Sequence, residues 1–170
     1  MDIKITPAQE SELPILKQLT ELYEYDFSEF TKDDVSPSGF YNFPYMQNLI
    51  RYWTDTNSHP FLVRVDNQLA GFVLVSMNCL YTPTADAHVI DEFFIMRKYR
   101  GLGVGKFAAG YMFDLFPGAW ELCVLHVNKP ALAFWEKVLG EYTGGEYAFH
   151  ADPVPNWDGV GFTFWSNKRG

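Results

Sequence analysis

A glycine-rich turn between residues 100 and 105 carries residue types whose spacing suits anion binding. Arg100, Gly101, Gly103 and Gly105 follow an apolar run rich in β-forming residues and precede apolar residues at helical spacing. That order predicts a strand, a turn and a helix whose first backbone N–H groups point into the turn. Glycines are needed there because side chains would hold an anion away from the backbone. The sequence therefore predicts a phosphate or pyrophosphate site.

Two common phosphate-binding motifs do not fit this turn. A P-loop needs glycine at position 100 and serine or threonine at position 107, where the chain has Arg100 and Phe107. The dinucleotide-binding fingerprint needs glycine or alanine at position 106, which is Lys106. The pattern that does fit is Arg-x-x-Gly-x-Gly, from Arg100 to Gly105.

This motif resembles the pyrophosphate-binding motif of the GNAT superfamily, the Gcn5-related N-acetyltransferases. Upstream, Phe93-Phe94-Ile95 stands where family members often have Leu-Ala-Val, and Tyr99 stands at the tyrosine of their Tyr-Arg-Gly. Downstream, the segment from Asn128 to Lys137 is similar to the family's Asn-x-x-Ala-x-x-Phe-Tyr-x-Lys. The resemblance thus runs from the middle of the chain to near its C-terminus.

The resemblance implies acetyl-CoA as the cofactor. In the family, the pantetheine arm enters between splayed strands four and five and pairs with the backbone of strand four. The N–H groups of that strand could also stabilise charge that develops on the thioester oxygen. By position, the implied cofactor-binding residues are Phe94, Ile95, Met96, Arg100, Gly101, Leu102, Gly103, Val104, Gly105, Lys106, Asn128, Phe134 and Trp135.

Two adjacent acids before the turn are candidate general bases for acetyl transfer. An amine must be neutral to attack, and an alkylammonium has a pKa of about 10.4. Strand alternation predicts that Asp91 shares a face with Phe93, whereas Glu92 lies on the opposite face. Asp91 stands where some aminoglycoside acetyltransferases of the family have an active-site aspartate, so we expect it to be the base. Glu92 is the alternative if a bulge exchanges the faces, and burial would raise either carboxyl pKa.

Trp135 departs from the family pattern. A tyrosine usually stands there and protonates the departing thiolate, which tryptophan cannot do. Either the thiolate leaves unassisted, or Tyr142, Tyr147 or His126 serves. The departure leaves two hypotheses open: an N-acetyltransferase, and a GNAT-fold module that binds acyl-CoA as a sensor or interaction partner without efficient catalysis.

The segment from Tyr23 to Trp53 is dense in aromatic and acidic residues. In GNAT proteins this region lies over the acceptor site, so the resemblance makes Tyr23, Tyr25, Phe27 and Tyr41 candidate substrate-binding residues. Core packing is the alternative for each. The implied substrate is a primary amine of a small molecule or peptide, acetylated by direct attack in a ternary complex.

The elements that must position these residues follow the order β-α-α-β-β-β-α-β-α-β-β. This is an α/β chain with a mixed sheet and helices on both faces, the GNAT fold. The first helix should end near Tyr25, the second should begin at Pro44, and a later one should be capped by Asn128 and end at Gly140. The helix from Gly103 to Phe116 should face the sheet through Val104, Phe107, Ala108, Tyr111 and Leu115.

Length and composition limit the remaining possibilities. A chain of 170 residues, 48% hydrophobic, suits a single domain over residues 1–170. A net charge of −8 argues against non-specific nucleic-acid binding. Cys79 and Cys123 lie in apolar runs and should be reduced and buried, and the absence of Cys/His ligand spacing predicts no metal. Without a leader-like or membrane-length apolar run, we expect a cytoplasmic monomer or homodimer with no membrane partner.

Overall fold

Seven strands form one mixed sheet in the order β1-β2-β3-β4-β5-β7-β6. The structure is a computed structural model that describes residues 1–41, 48–82, 86–152, 154 and 157–167. The strands are Ile3–Pro7 (β1), His59–Val65 (β2), Gln68–Ser76 (β3), His88–Ile95 (β4), Gly118–Leu125 (β5), Tyr147–His150 (β6) and Gly159–Ser166 (β7). The helices of the described residues are Leu13–Thr31 (α1), Arg51–Thr54 (α2), Val104–Leu115 (α3) and Lys129–Thr143 (α4), with short 3-10 turns at Glu10–Glu12 and Arg97–Tyr99. The predicted order of elements and the GNAT fold are confirmed.

Each face of the sheet carries its own hydrophobic core. On one face, α1 packs Leu16 and Leu19 against Phe72 and Leu74 of β3. On the other face, α3 and α4 cover a larger core, to which β3 contributes Val73. Alternating residues of β3 thus point to opposite cores, as the period of a strand requires.

Helix α1 is longer than predicted. It ends at Thr31 rather than near Tyr25, and Lys32 at φ +63° forms its left-handed C-cap. Phe27 and Phe30 are partly buried and contact one another edge-on at 6.0 Å, so the apolar stripe of the helix continues through them. The expected start of the second helix at Pro44 lies outside the described residues. In that part of the chain the described residues show only the short helix α2.

The predicted sheet-facing stripe of α3 is partly wrong. Phe107, Tyr111 and Leu115 are 38–47% exposed, and the buried residues are Val104, Ala108, Ala109, Met112 and Phe113. Two apolar stripes run along this helix, and helical spacing alone does not decide between them. The structure buries the stripe with the two small alanines, which lets the helix approach the sheet closely.

Two further expectations are corrected. Gly140 lies inside α4, which continues to Thr143 and ends at Gly144 with φ +69°. Cys79 lies in the loop after β3, and both cysteines are free thiols that are only partly buried. Among the described residues, no helix has the length and apolar character to cross a membrane.

Strands β4 and β5 pair only at their beginnings. The parallel ladder joins His88 to Trp120 and ends where Ile90 meets Leu122. Beyond that point β4 continues to Ile95, still paired with β3 on its other side. The predicted splay of strands four and five is therefore present, and it leaves an open strand edge beside the glycine-rich turn.

Candidate active site

A β-bulge at Asp91 sets the direction of both candidate bases. In the ladder between β3 and β4, Val75 lies opposite Ile90 and Leu74 lies opposite Glu92, so Asp91 is an extra residue on β4. Asp91 and Glu92 both accept hydrogen bonds from tyrosines of the α1 side of the sheet. The predicted alternation is therefore wrong for Asp91, which turns away from the core occupied by Ile90 and joins Glu92 on one face.

Asp91 is held by three side chains that sequence reasoning missed. Its Oδ2 accepts a 2.6 Å hydrogen bond from the Tyr52 hydroxyl, and its Oδ1 accepts a 2.8 Å bond from Ser76 Oγ. Arg51 lies 3.9 Å from the same carboxylate. Burial raises the pKa of Asp91, although the two hydrogen bonds and the Arg51 charge oppose that shift. Both carboxylate oxygens are thus engaged within the protein.

Glu92 accepts a hydrogen bond from one tyrosine and has a strongly raised pKa. The Tyr23 hydroxyl donates a 2.6 Å hydrogen bond to its Oε2. Burial raises the pKa of Glu92 to about 8; the Tyr23 bond and Arg51 lower it, while the charges of Asp91 and Glu24 raise it further. A carboxylate with a pKa near neutrality can accept a proton in the physiological range.

Aromatic rings surround Tyr23, the hydrogen-bond partner of Glu92. Tyr23 packs edge-on against Phe72 at 5.8 Å and contacts Phe94 at 5.7 Å and Phe27 at 5.4 Å. Ring contacts of this kind fix the position of the tyrosine beyond its hydrogen bond. The structure therefore brings Tyr23 to the acid pair and packs Phe27, another predicted substrate-binding residue, against Tyr23.

The other two predicted substrate-binding residues lie elsewhere around α1. Tyr25 is 67% exposed, so it occupies the solvent side of the helix rather than the wall formed by Tyr23. Tyr41 lies across α1, where its backbone N–H donates to Glu21 at 3.1 Å and its hydroxyl donates to Ser28 at 3.3 Å. Tyr41 thus bonds to the side of α1 that carries Glu21 and Ser28.

The glycine-rich turn has the backbone conformation that an anion site needs. Gly101 and Gly103 adopt φ +73° and +84°, and a Cβ on either would meet nothing within 4 Å. These positions are therefore glycine because of backbone conformation and not because of protein packing. Gly105 differs: a Cβ there would lie 3.2 Å from the ring of Phe134, so this glycine permits close contact between α3 and α4. Helix α3 begins directly after Gly103, with unbonded N–H groups in its first turn.

The cationic side chains at the turn are engaged with acids. Arg100 donates through Nε to the Ile95 carbonyl at 2.7 Å and forms an ion pair with Asp26 of α1. Arg97 pairs with the same carboxylate at 2.7 Å. Lys106 forms an ion pair with Glu141 of α4. The backbone, more than these side chains, is thus presented to an anion in the turn.

The remaining predicted cofactor residues lie at the end of β4, in the glycine-rich turn and at the start of α4. Phe94 and Ile95 are buried on the open stretch of β4, whereas the N–H of Met96 donates to the Ala70 carbonyl at 2.8 Å and is not available to a ligand. Leu102 is exposed at the turn. Asn128 caps α4 as predicted, because its side chain accepts from the Ala131 N–H at 3.1 Å.

Trp135 is packed into the larger core. It is 6% exposed and contacts Phe93 at 5.0 Å and Phe134 at 4.9 Å, both edge-on. Of the expected substitutes for the family tyrosine, Tyr142 donates its hydroxyl to Asp114 of α3 at 2.6 Å. The structure therefore uses Trp135 and Tyr142 in packing between the helices and the sheet.

Comparison with known proteins agrees with this geometry. An acetyltransferase from Thermus thermophilus superposes with a TM-score of 0.70 at 15% identity, covering 97% of each chain. PaiA N-acetyltransferase from Thermoplasma acidophilum in complex with coenzyme A gives a TM-score of 0.63 at 12% identity, over 97% of this chain and 99% of that one. Spermidine N-acetyltransferase from Vibrio cholerae, in complex with CoA and spermine, gives 0.64 at 11% identity, over 98% and 96%. Such low identities establish a shared fold only.

Sequence comparison establishes the family. No curated protein matches the chain at a significant level. The model of the acetyltransferase (GNAT) family matches residues 18–140, well over half of the sequence. That match contains most of α1, the bulged strand, the glycine-rich turn and most of α4. The chain therefore belongs to the GNAT acetyltransferase family, whose acetyl donor is acetyl-CoA.

Proposed function

We propose that the chain is an acetyl-CoA-dependent N-acetyltransferase that acts on a primary amine of a small molecule or peptide, by direct attack in a ternary complex. The bulge that turns Asp91 and Glu92 to one face, beside the open edge of β4, is the observation that carries the proposal. Relatives of this fold named for spermidine and for aminoglycosides support an amine acceptor.

Acetyl-CoA fits the groups that the protein presents. The first N–H groups of α3, after Gly103, would hold its diphosphate, and the edge of β4 that β5 leaves unpaired beyond Ile90 would hold its pantetheine arm. When bound, acetyl-CoA supplies a thioester whose C–S bond breaks as the C–N bond to the amine forms. Strand N–H groups aimed at the thioester oxygen would stabilise its developing charge.

Glu92 is the favoured general base. It retains an oxygen with no hydrogen-bond partner among the described residues, whereas both oxygens of Asp91 accept hydrogen bonds. The amine proton passes to Glu92, and Asp91 supports this role because its charge raises the pKa of its neighbour. The resemblance predicted Asp91 as the general base and Glu92 as the alternative, and we propose the reverse assignment.

Turnover of an amine panel tests the proposal, with release of the CoA thiol as the readout. Glu92→Gln should lower kcat/KM about 100-fold or more, because a positioned general base contributes on that scale. Glu136→Gln, an exposed acid on α4, is the matched control and should have no effect. If Asp91→Asn lowers kcat/KM more than Glu92→Gln does, the general base is Asp91 instead.

A second candidate function is an acyl-CoA-binding module without efficient catalysis. Its support is Trp135, which lies in the core at the position where the family usually has the tyrosine that protonates the thiolate. Tight acetyl-CoA binding in calorimetry with no amine acetylated would establish this alternative. In that case Trp135→Tyr should not create turnover, because the residue is packed between rings and lies away from solvent.

A further inference from the structure

Helix α1 buries a carboxylate that nothing in the described part of the chain neutralises. Glu24 lies on the buried stripe of the helix with Leu16 and Thr20 and is only 2% exposed. Both of its carboxylate oxygens are buried, and neither has a hydrogen-bond partner or a cation among the described residues. An unpaired buried carboxylate is strongly unfavourable, so the site needs a proton or a cation.

Two acids of the described residues act electrostatically on Glu24. Burial and the charges of Glu21 and Asp33 raise the pKa of Glu24 to about 7. The electrostatic influence of Glu24 also reaches Glu92, whose pKa it raises. The cation Arg51 lies at the neighbouring acid pair, 3.9 Å from the Asp91 carboxylate. Glu24 directly follows Tyr23, whose hydroxyl donates a 2.6 Å hydrogen bond to Glu92, so Glu24 is a second acidic position close to the proposed acceptor site.

We propose that the acceptor is an aliphatic diamine or polyamine, with the reacting amine at the acid pair of Asp91 and Glu92 and a second ammonium paired with Glu24. The inference rests on the proposed function. A single general base requires only one amine, whereas a buried, unpaired carboxylate nearby selects a substrate with a second cation. An ammonium has three donors and can satisfy both oxygens of Glu24.

The second nitrogen takes no part in bond making. It keeps its proton throughout, while the reacting nitrogen, as the neutral amine, loses one proton to the carboxylate and gains the acetyl group. CoA leaves as the thiolate and takes a proton from water. A net charge of −8 would also attract a polycation to the protein surface and increase its rate of encounter.

Substrate series test the inference directly. Unbranched α,ω-diaminoalkanes of three to eight carbons are compared with n-alkylamines of equal length, with CoA release as the readout. At one chain length, kcat/KM for the diamine should exceed that for the monoamine about tenfold or more, the range of a charge-assisted hydrogen bond. In Glu24→Gln this ratio should fall toward one. In Glu29→Gln, which neutralises an exposed acid on the same helix, the ratio should be kept.

Calorimetry provides a readout that does not depend on turnover. With CoA bound and no acetyl group to transfer, the diamine should bind wild type about tenfold or more tightly than Glu24→Gln, and the monoamine should not distinguish them. Binding at pH 7 should also release protons, because the cation replaces the proton on Glu24. Glu24→Gln should lose that release.

The outcomes separate this inference from the proposed function. If no amine is acetylated but the diamine binds in a Glu24-dependent way, the acceptor class is supported and the catalytic proposal fails. If monoamines are acetylated as well as diamines, and Glu24→Gln leaves both the ratio and the binding unchanged, the inference is overturned while the catalytic proposal stands.

Discussion

The hydroxyl of Tyr23 donates a 2.6 Å hydrogen bond to Oε2 of Glu92, and this bond joins helix α1 to the bulge of β4. The residues are 69 positions apart in the chain. Through this contact, the helix that covers the proposed acceptor site also sets the electrostatics of the proposed base, because the hydrogen bond favours the ionised carboxylate.

Removing that hydroxyl should move the pH dependence of activity. The base must be ionised, so kcat/KM should rise toward a plateau above about pH 8, the pKa of Glu92. Tyr23→Phe removes a contact that lowers this pKa, so the profile should shift to higher pH and activity at pH 7 should fall about tenfold. Full pH profiles check this. The control is Tyr25→Phe, on the exposed side of the same helix. If the pH profile of Tyr23→Phe is not shifted, Glu92 is not the group that accepts the proton.

Buried Glu24 should make the protein less stable as the pH rises. Its pKa in the folded state, about 7, is above its unfolded value, so its contribution is complete below about pH 4.5 and is lost as the pH rises through 7. Glu24→Gln should therefore increase the free energy of unfolding at pH 9 by about 3 kcal/mol and change it little at pH 4. Urea denaturation at the two pH values measures the difference. Equal effects at both pH values would mean that Glu24 does not titrate in this range.

Gly103 should be required for cofactor affinity. Alanine at φ +84° costs about 1 kcal/mol in backbone strain and displaces the amides that would hold the diphosphate. Gly103→Ala should weaken CoA binding about tenfold or more in calorimetry. The matched control is Gly140→Ala in α4, where an added Cβ meets nothing within 4 Å and should stabilise the helix by about 1 kcal/mol. Unchanged CoA affinity in Gly103→Ala would place the cofactor elsewhere.

Asp26 should weaken anion binding at the turn because it neutralises two arginines. Burial opposes ionisation of this carboxylate, yet the hydrogen bonds from Arg100 and Arg97 hold its pKa below the usual range. Asp26→Asn should release both cations and strengthen CoA binding about threefold at low salt, with the gain lost at high salt. Stability should change by less than about 1 kcal/mol, since the arginines are well exposed. Weaker binding in Asp26→Asn would show instead that Asp26 positions Arg100 for the ligand.

Local sequence determined the features that depend on neighbouring residues. The glycine-rich turn, the start of α3 and the Asn128 cap of α4 were predictable, because positive φ angles and capping hydrogen bonds involve residues within one turn of one another. The order of elements was predictable for the same reason, since each strand and helix has its own apolar period.

Long-range pairing decided what the sequence alone left open. The bulge at Asp91 exists because of how β4 aligns with β3, and it reverses the face of that residue. The choice between two apolar stripes on α3 depended on which one the sheet could bury. The partners of Asp91, namely Arg51, Tyr52 and Ser76, and the unpaired state of Glu24 among the described residues likewise depend on contacts between distant segments. Thus the sequence by itself determined the glycine-rich turn and the family, whereas only the tertiary structure decided which way the acids face and which of them the described chain leaves without a partner.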